Sequence, residues 1–485
     1  MGLGAGTLAV SLVTVPIYLR TIGEARYGIL TIVWLLLGYF GAFELGTSRA
    51  TAGFVARHPD ERGRIFLHAL VLNLVAGLVG AVLLAVLFPL LVGHVFLLTA
   101  PERADLLVSL PLVALAVPAT TLGFMLAGTL EGRERFLLLN AIQLTTNVLL
   151  QTSPLAVALL VGPHLEDMIA AVVAARLLML VPLAWAAFAA ARPLPRLRLE
   201  GVWIKRLLGF GGWVTLTGLV TPVMDFLDRF AIASLLGPVA VTDYVVPFNL
   251  ASRTRILPAS VTRALFPRLS ALGPDEARGL GGQTLRRLAL LLTPVFLIGL
   301  LLVAPFLRWW IGADFAHRAA PLGQILLVGA WAAGLALVGS VTLQAEGRPS
   351  RVAWIRCGEI PFFLGALWWG LVHDGVRGAA YAWTGWSLLD AGLLLGTSGL
   401  LDPRTSAGLL TGLTLLSLEF WLVGLHAPLA LPLLIVTAAT LTALVLGRRE
   451  IRQALTAFRG RTVMCKARAD VGSVLSRNLS RRPKR

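Results

Sequence analysis

Long apolar runs alternate with short basic or Gly/Pro-rich breaks along almost the whole chain. A transmembrane helix needs about 20 mostly apolar residues. The pattern predicts spans at 2–19, 28–48, 66–92, 106–129, 136–162, 168–191 and 207–235, then 241–263, 288–310, 319–343, 352–372, 378–400, 406–424 and 428–446. That is 14 helices and no strand. The first run lacks a basic leader and a small-residue cleavage site, so it reads as a retained helix. The longest internal break, 264–287, is too short for a folded domain.

Composition agrees with the pattern. Of 485 residues, 57% are hydrophobic and only 14% charged, and mean hydropathy is +0.81. A soluble chain carries about 25% charged residues, so a water-facing surface of normal make-up is excluded. The net charge is +17 and the pI near 11.3, yet this composition argues against a nucleic-acid partner. Two cysteines, Cys357 and Cys465, give no disulfide framework. No metal-ligand spacing, P-loop or nucleophile–base motif is present, so neither a cofactor nor ATP hydrolysis through that motif is expected.

The charge is unevenly placed. Alternate loops from Arg57 to Arg404 hold 17 basic residues. The opposite set holds six: Arg20, Arg26, Arg103, Arg308, Arg318 and Arg377. The tail 447–485 adds 12 more on the rich side. The positive-inside rule then puts both termini in the cytoplasm, as an even number of spans requires. A basic tail beside an anionic leaflet is held there electrostatically.

The chain also repeats itself. Leu130-Glu131-Gly132-Arg133 returns as Ala345-Glu346-Gly347-Arg348, an offset of 215. Ser48-Arg49-Ala50 returns as Thr262-Arg263-Ala264, and Ile22-Gly23 as Leu236-Gly237, each at offset 214. Six spans separate the copies, so the repeat is parallel, with its axis along the membrane normal. The expected fold is an all-α polytopic bundle. It has a first lobe over 1–191, a basic linker over 192–206, a second lobe over 207–400, two added spans over 401–446 and the tail. Substrate is expected between the lobes, chiefly against spans 1, 2, 7 and 8.

Charges inside the spans are the candidate chemistry, because each costs about 2.5–3.5 kcal/mol at mid-bilayer on insertion scales. Glu44 and Arg49 lie in span 2, Asp225, Asp228 and Arg229 in span 7, and Arg253, Arg255 and Arg263 in span 8. Asp225 and Arg229 are four apart and can form a structural ion pair on one helical face. Arg49 and Arg263 are close enough to the interface to snorkel. Arg253 and Arg255 are deeper, with no acid within four residues, and point to a hydrated cavity or an anionic substrate. Glu44 is a candidate for ion coupling or a loose pair with Arg49. Arg176, Glu359, Asp390 and Glu419 are scattered and read as structural. Trp309, Trp310, Trp368 and Trp369 read as an interfacial belt.

The stretch from Val15 through Arg20-Thr21-Ile22-Gly23-Glu24-Ala25-Arg26-Tyr27-Gly28 resembles the first-loop signature of bacterial oligosaccharide flippases. These form the polysaccharide-biosynthesis branch of the multidrug/oligosaccharidyl-lipid/polysaccharide (MOP) exporter superfamily. Glu44-Leu45-Gly46-Thr47-Ser48-Arg49-Ala50 resembles that branch's element at the end of span 2. Asp228-Arg229-Phe230-Ala231-Ile232, Leu236-Gly237, Tyr244 and Phe266-Pro267-Arg268-Leu269-Ser270 resemble its second-lobe counterparts. The resemblance implies a MATE-like fold in the bacterial inner membrane and a non-enzymatic flippase of undecaprenyl-pyrophosphate-linked glycan. A polysaccharide polymerase is a candidate partner. Arg49, Arg253, Arg255 and Arg263 become the candidate pyrophosphate ligands, with Arg20 and Arg26 at the periplasmic mouth. Glu44, Asp225 and Asp228 become candidate coupling acids for an H+ or Na+ gradient, the membrane potential being the other drive. A lipid II flippase differs only in substrate. A multidrug antiporter would want an acidic cavity, and a membrane glycosyltransferase or polymerase would want a large external loop bearing acids.

Overall fold

The computed structural model describes residues 2–39, 47–195, 200–425, 428 and 430–445, all in helices and short connections. A backbone in hydrocarbon must satisfy its own polar groups, and helices do so within one segment. The helices are α1 (Gly2–Tyr39), α2 (Thr47–Arg57), α3 (Arg62–Leu90), α4 (Ala100–Val108), α5 (Leu110–Gly132), α6 (Phe136–Leu160) and α7 (Leu165–Ala191). There follow α8 (Gly201–Leu235), α9 (Pro238–Arg253), α10 (Ile256–Ser270), α11 (Pro274–Trp310), α12 (Ala313–Ala345), α13 (Pro349–Thr397), α14 (Pro403–Gly424) and the shorter α15 (Ala430–Val445). The tail 447–485 and Glu44 lie outside the described residues.

The described parts of the expected spans lie on these helices, but five features differ from the reading of the sequence. Spans 1 and 2 are not separated by a loop. α1 runs through span 1 and on through span 2 as far as Tyr39, and turns on Gly23, at φ 80°. Spans 11 and 12 likewise share α13, which turns at Asp374 and Gly375 (φ 54°). Span 8 is divided into α9 and α10 at Thr254–Arg255. The expected loop 264–287 is mostly helix, because α10 ends at Ser270 and α11 begins at Pro274. Gly273, Pro274 at the first helical position and Asp275 and Glu276 in the first turn explain that start. Finally, α8 begins at Gly201, inside the expected linker.

Gly23 and Gly237, matched by the internal repeat, both take left-handed backbone, at φ 80° and 82°. Such a turn strains any residue with a Cβ. The same device therefore reverses the chain at the same point of each half. Within the first six spans, α5 packs against α2, α3 and α7, and α6 against α7. Within the next six, α12 is the centre, buried along most of its length against α9, α10, α11 and α13. α14 leans on α11 and α12.

Between apolar helices in lipid, close packing substitutes for the hydrophobic effect. The tightest crossing is the hairpin of α13, where a Cβ on Gly378 would lie 1.9 Å from the carbonyl oxygen of Gly370. A side chain there must force two backbones apart. Gly378→Val is therefore expected to lower the melting temperature of the detergent-solubilised protein by at least the equivalent of the ~1–3 kcal/mol typical of overpacking. Gly365→Val, on the same helix with nothing within 4 Å of its added Cβ, is expected to leave melting unchanged.

Candidate functional site: an arginine-lined cavity between the lobes

Two connected cavities lie between the halves. The deeper one has a volume of about 270 Å3. Its wall takes Tyr27, Thr31 and Trp34 from α1, Asn147 and Gln151 from α6, Arg176 from α7, Asn249 and Arg253 from α9 and Trp310 from α11. The wider one, about 1010 Å3, shares Asn249 and Arg253 with it. It runs between the start of α6, at Leu137 and Asn140, and α10, where it meets Arg255 and Arg263. Leu137 follows the basic loop of Arg133 and Arg135, so the cleft widens toward the arginine-rich end of the bundle.

Local structure explains how these side chains reach the cavity. On α9, Val246, Asn249, Leu250 and Arg253 line the chamber. That spacing is one helical face. The end of α9 at Thr254 then turns the chain so that Arg255, Ser260 and Arg263 continue the wall on α10. Opposite them, Arg176 donates through Nη1 to Thr120 Oγ1 at 2.7 Å, while its buried Nε has no partner among the described residues. No described acid pairs with Arg176, Arg253, Arg255 or Arg263. The remaining polar wall is amide and hydroxyl. Tyr27 and Trp34 form an aromatic cluster with Tyr18, ring centroids 5.7–6.4 Å apart. Tyr18 is pinned by its hydroxyl, which donates to the Gln151 carbonyl at 2.7 Å.

The other end is shut. Arg318 on α12 makes an ion pair with Glu24 of α1 and reaches both oxygens of Asp243 on α9, at 3.1 and 3.3 Å. Thr242 donates to the carbonyl of Glu24 at 2.7 Å. A Cβ on Gly28 would lie 2.0 Å from the Pro238 oxygen, so α1 and α9 meet backbone to backbone. Trp310 donates to the Leu12 carbonyl at 2.6 Å, and Phe96 stacks on Phe230 at 5.9 Å.

The other sequence candidates fall elsewhere. Arg20, Arg26 and Arg49 are exposed and are not among the residues lining either cavity. Asp228 and Arg229 are buried inside the second lobe. Tyr244 donates to Asp228 Oδ2 at 2.6 Å, and the Arg229 guanidinium sits 4.2 Å from the Phe248 ring centroid. The side chain of Asp225 lies outside the described residues. Arg176 and Trp310, read from sequence as a structural charge and a belt residue, line the deeper chamber. The reason is that α7 is apolar on all sides, so periodicity carries no sign of which face meets the cavity. Glu359 accepts from Trp386 Nε1 at 2.9 Å, and Asp390 lies 3.8 Å from Arg356. Those acids belong to a buried cluster within α13. Glu419 is fully buried on α14. Among the described residues no cluster of His, Cys, Asp and Glu fit for a metal is present.

Residues 3–272 match the family described as polysaccharide biosynthesis protein, more than half of the 485 residues. The chain belongs to that family. A relative from Shigella flexneri, named "Putative O-antigen transporter", is 28% identical over 384 residues, covering 77% of this chain and 90% of its own length. Among solved structures, the lipid II flippase MurJ in an inward closed conformation superposes with a TM-score of 0.70 at 13% identity, over 92% of this chain and 97% of MurJ. An inward-facing multidrug MATE transporter of the MOP superfamily gives 0.68 at 12% identity, over 84% and 98%. These likenesses establish the fold of the family member described here: a multi-pass membrane protein of two six-helix lobes plus two helices.

The seal is made of partly exposed ion pairs, worth about 0–1 kcal/mol each. Losing about 1 kcal/mol changes a population about fivefold. Arg318→Ala is therefore expected to raise, severalfold, maleimide labelling of an Asn249→Cys probe in a Cys357→Ser, Cys465→Ser background. The impermeant reagent is added on the side opposite the basic loops. Labelling no faster than in the parent would show that the triad does not hold this end shut.

Proposed function

We propose that this protein is a flippase that moves undecaprenyl-pyrophosphate-linked oligosaccharide between leaflets for cell-surface polysaccharide assembly. One observation carries the reading. Arg176 and Arg253, from opposite lobes, line one chamber with no acid partner among the described residues. An uncompensated guanidinium in an apolar setting is expensive. An anion that enters the chamber removes that cost, and the planar fork of arginine suits a phosphate oxygen pair. Asn147, Gln151 and Asn249 add neutral donors and acceptors of the kind sugar hydroxyls accept. The family and the Shigella flexneri relative support a glycan as the cargo.

Orientation follows from the same arginines. With the basic loops in the cytoplasm, the wide cleft opens inward and the Arg318 seal faces the periplasm. Both termini are then cytoplasmic, and the membrane is the inner one. The head group would enter past Arg263 and Arg255, climb to Arg253 and Arg176, and leave when the seal opens and the cleft closes. Rocking of one lobe on the other accomplishes that exchange. An ion gradient or the membrane potential supplies the drive, and a polysaccharide polymerase receives the product. Lipid II is a second cargo of the same chemistry. The match to the polysaccharide family favours the oligosaccharide. Organic cations fit poorly, because the described charged groups lining both cavities are arginines.

Arg176→Ala, Arg253→Ala and Arg255→Ala are each expected to cut surface glycan export at least tenfold, with membrane protein level preserved. A charge-assisted hydrogen bond of about 1.5–3 kcal/mol accounts for that factor. Surface polysaccharide immunoblots beside membrane quantitation provide the measurement. Full export by all three variants refutes an arginine-borne head-group site.

A further inference from the structure

Two helix carbonyls at the closed end lack their usual partner within the helix, and each is filled from the opposite lobe. On α1, the carbonyl of Leu12 would accept from the amide four residues on, but that residue is Pro16, which has no N–H. Trp310, at the end of α11, donates its indole N–H to this carbonyl at 2.6 Å. On α8, the carbonyl of Ala233 falls in the last turn before the chain reverses on Gly237, so the helix itself leaves it open. The backbone N–H of Leu97 donates to it at 3.2 Å. Beside Leu97, Phe96 stacks on Phe230 of α8. Phe96 and Trp310 are 214 residues apart, which is the offset of the internal repeat. α1 and α8 carry the first span of each repeat. Each lobe therefore sends the end of its third span to the first helix of the other lobe. The two clasps differ in one respect. Leu12 and Trp310 both line the deeper chamber, together with Arg176 and Arg253. Phe96 and Leu97 are not among the residues lining either cavity.

We propose that Trp310 senses the loaded chamber: an oxyanion of the bound head group takes the indole N–H from the Leu12 carbonyl and so releases one of the two clasps. The inference rests on the reading of the chamber as the head-group site and adds a link from its occupancy to the closed end. A ligand shifts an equilibrium only by binding one state better than the other. The indole supplies that difference. While clasped, it is spent on a neutral carbonyl. Once released, it offers an anion a charge-assisted bond, roughly twice as strong as a neutral one. The indole has a single N–H and no acceptor, so bonding the ligand means leaving Leu12. Leu12 borders the chamber, so water there can donate to the carbonyl left behind. The Leu97 clasp has no such access. It holds the end shut without responding to the ligand, as does the pair of Arg318 with Glu24. An empty chamber thus keeps both clasps made, which opposes opening without cargo, and loading breaks one of them.

Electron–electron double resonance between spin labels at Ala104→Cys on α4 and Ala313→Cys on α12 measures the closed end, in the full chain with Cys357→Ser and Cys465→Ser. Both positions are exposed, one in each lobe. Inorganic pyrophosphate is the probe, and its binding is measured in parallel by calorimetry. In the parent, saturating pyrophosphate is expected to raise the long-distance population severalfold. Trp310→Phe keeps an aromatic ring against Phe306, whose centroid lies 5.3 Å from that of Trp310, and loses the N–H. It is expected to show the raised population without pyrophosphate and no further rise with it. Leu97→Pro removes the other donor, and Phe96 already has the extended backbone that a following proline requires. It is expected to raise the population as well but to keep the response. If pyrophosphate binds while the parent distances stay unchanged, or if Trp310→Phe still responds, the sensing role falls and the head-group site stands. A Trp310→Phe chain as closed as the parent refutes the clasp itself. Loss of the response in Leu97→Pro would overturn a role peculiar to Trp310. If Arg253→Ala binds pyrophosphate as tightly as the parent, the head-group reading is what fails.

Discussion

A guanidinium that lacks a counter-charge inside an apolar bundle is the constraint on which this architecture turns. Arginine cannot shed its proton to escape the cost. It must be hydrated, paired or matched by a ligand. Arg318 takes the second solution, with Glu24 and Asp243. Arg176, Arg253, Arg255 and Arg263 have no described acid, and all four border cavities between the lobes. The space between the lobes is therefore required by the charges as much as by the cargo. A bundle packed shut around those four side chains would bear several times the cost of one charge at mid-bilayer.

The strength of packing differs within and between the lobes, and that difference permits alternation. Inside the second lobe, α12 is buried along most of its length, and α13 folds on itself with Gly370 and Gly378 in backbone contact. Such contacts do not yield to a small force, because interiors at crystal-like density have no slack. Between the lobes, the closed end relies on the half-exposed Arg318–Glu24 ion pair, a threonine hydroxyl and one indole donor. Each is replaceable by water at little cost. The Gly28–Pro238 approach belongs to a wider packing of α1 on α9, and that contact must part when the closed end opens. Rigid bodies joined by a soft seal can exchange access without unfolding either body.

The spans were legible in the sequence because lipid imposes one length and one composition on every crossing helix. The parallel repeat was legible too, and Gly23 and Gly237 give it a conformational basis. The turns were less so. A single glycine can reverse a chain that reads as a loop of eight residues, and the helical start at Pro274 was hidden by the polar composition of Gly273-Pro274-Asp275-Glu276. Of the cavity, Arg253 and Arg255 stood out by charge at depth. Arg176 stood out equally as a residue, but α7 is apolar around its whole circumference, so nothing in its pattern marks the inward face. Asn147, Gln151 and Asn249 carry no charge and therefore gave no signal against the apolar background.

The segment 247–263 is where these arguments converge. Pro247 opens it against Gly323 of α12, Asn249 and Arg253 turn to the chamber, the helix ends at Thr254, and Arg255 and Arg263 continue down the wide cleft. A straight helix would rotate successive residues steadily around its axis and would carry Arg255 away from the face of Arg253 by two residues' rotation. The break at Thr254 resets that rotation and brings both guanidiniums to the same cavity. A basic track along one wall thus needs a broken span. The two arginines without a described acid partner that mark the site by sequence and the interruption of the helix that carries them are one structural solution.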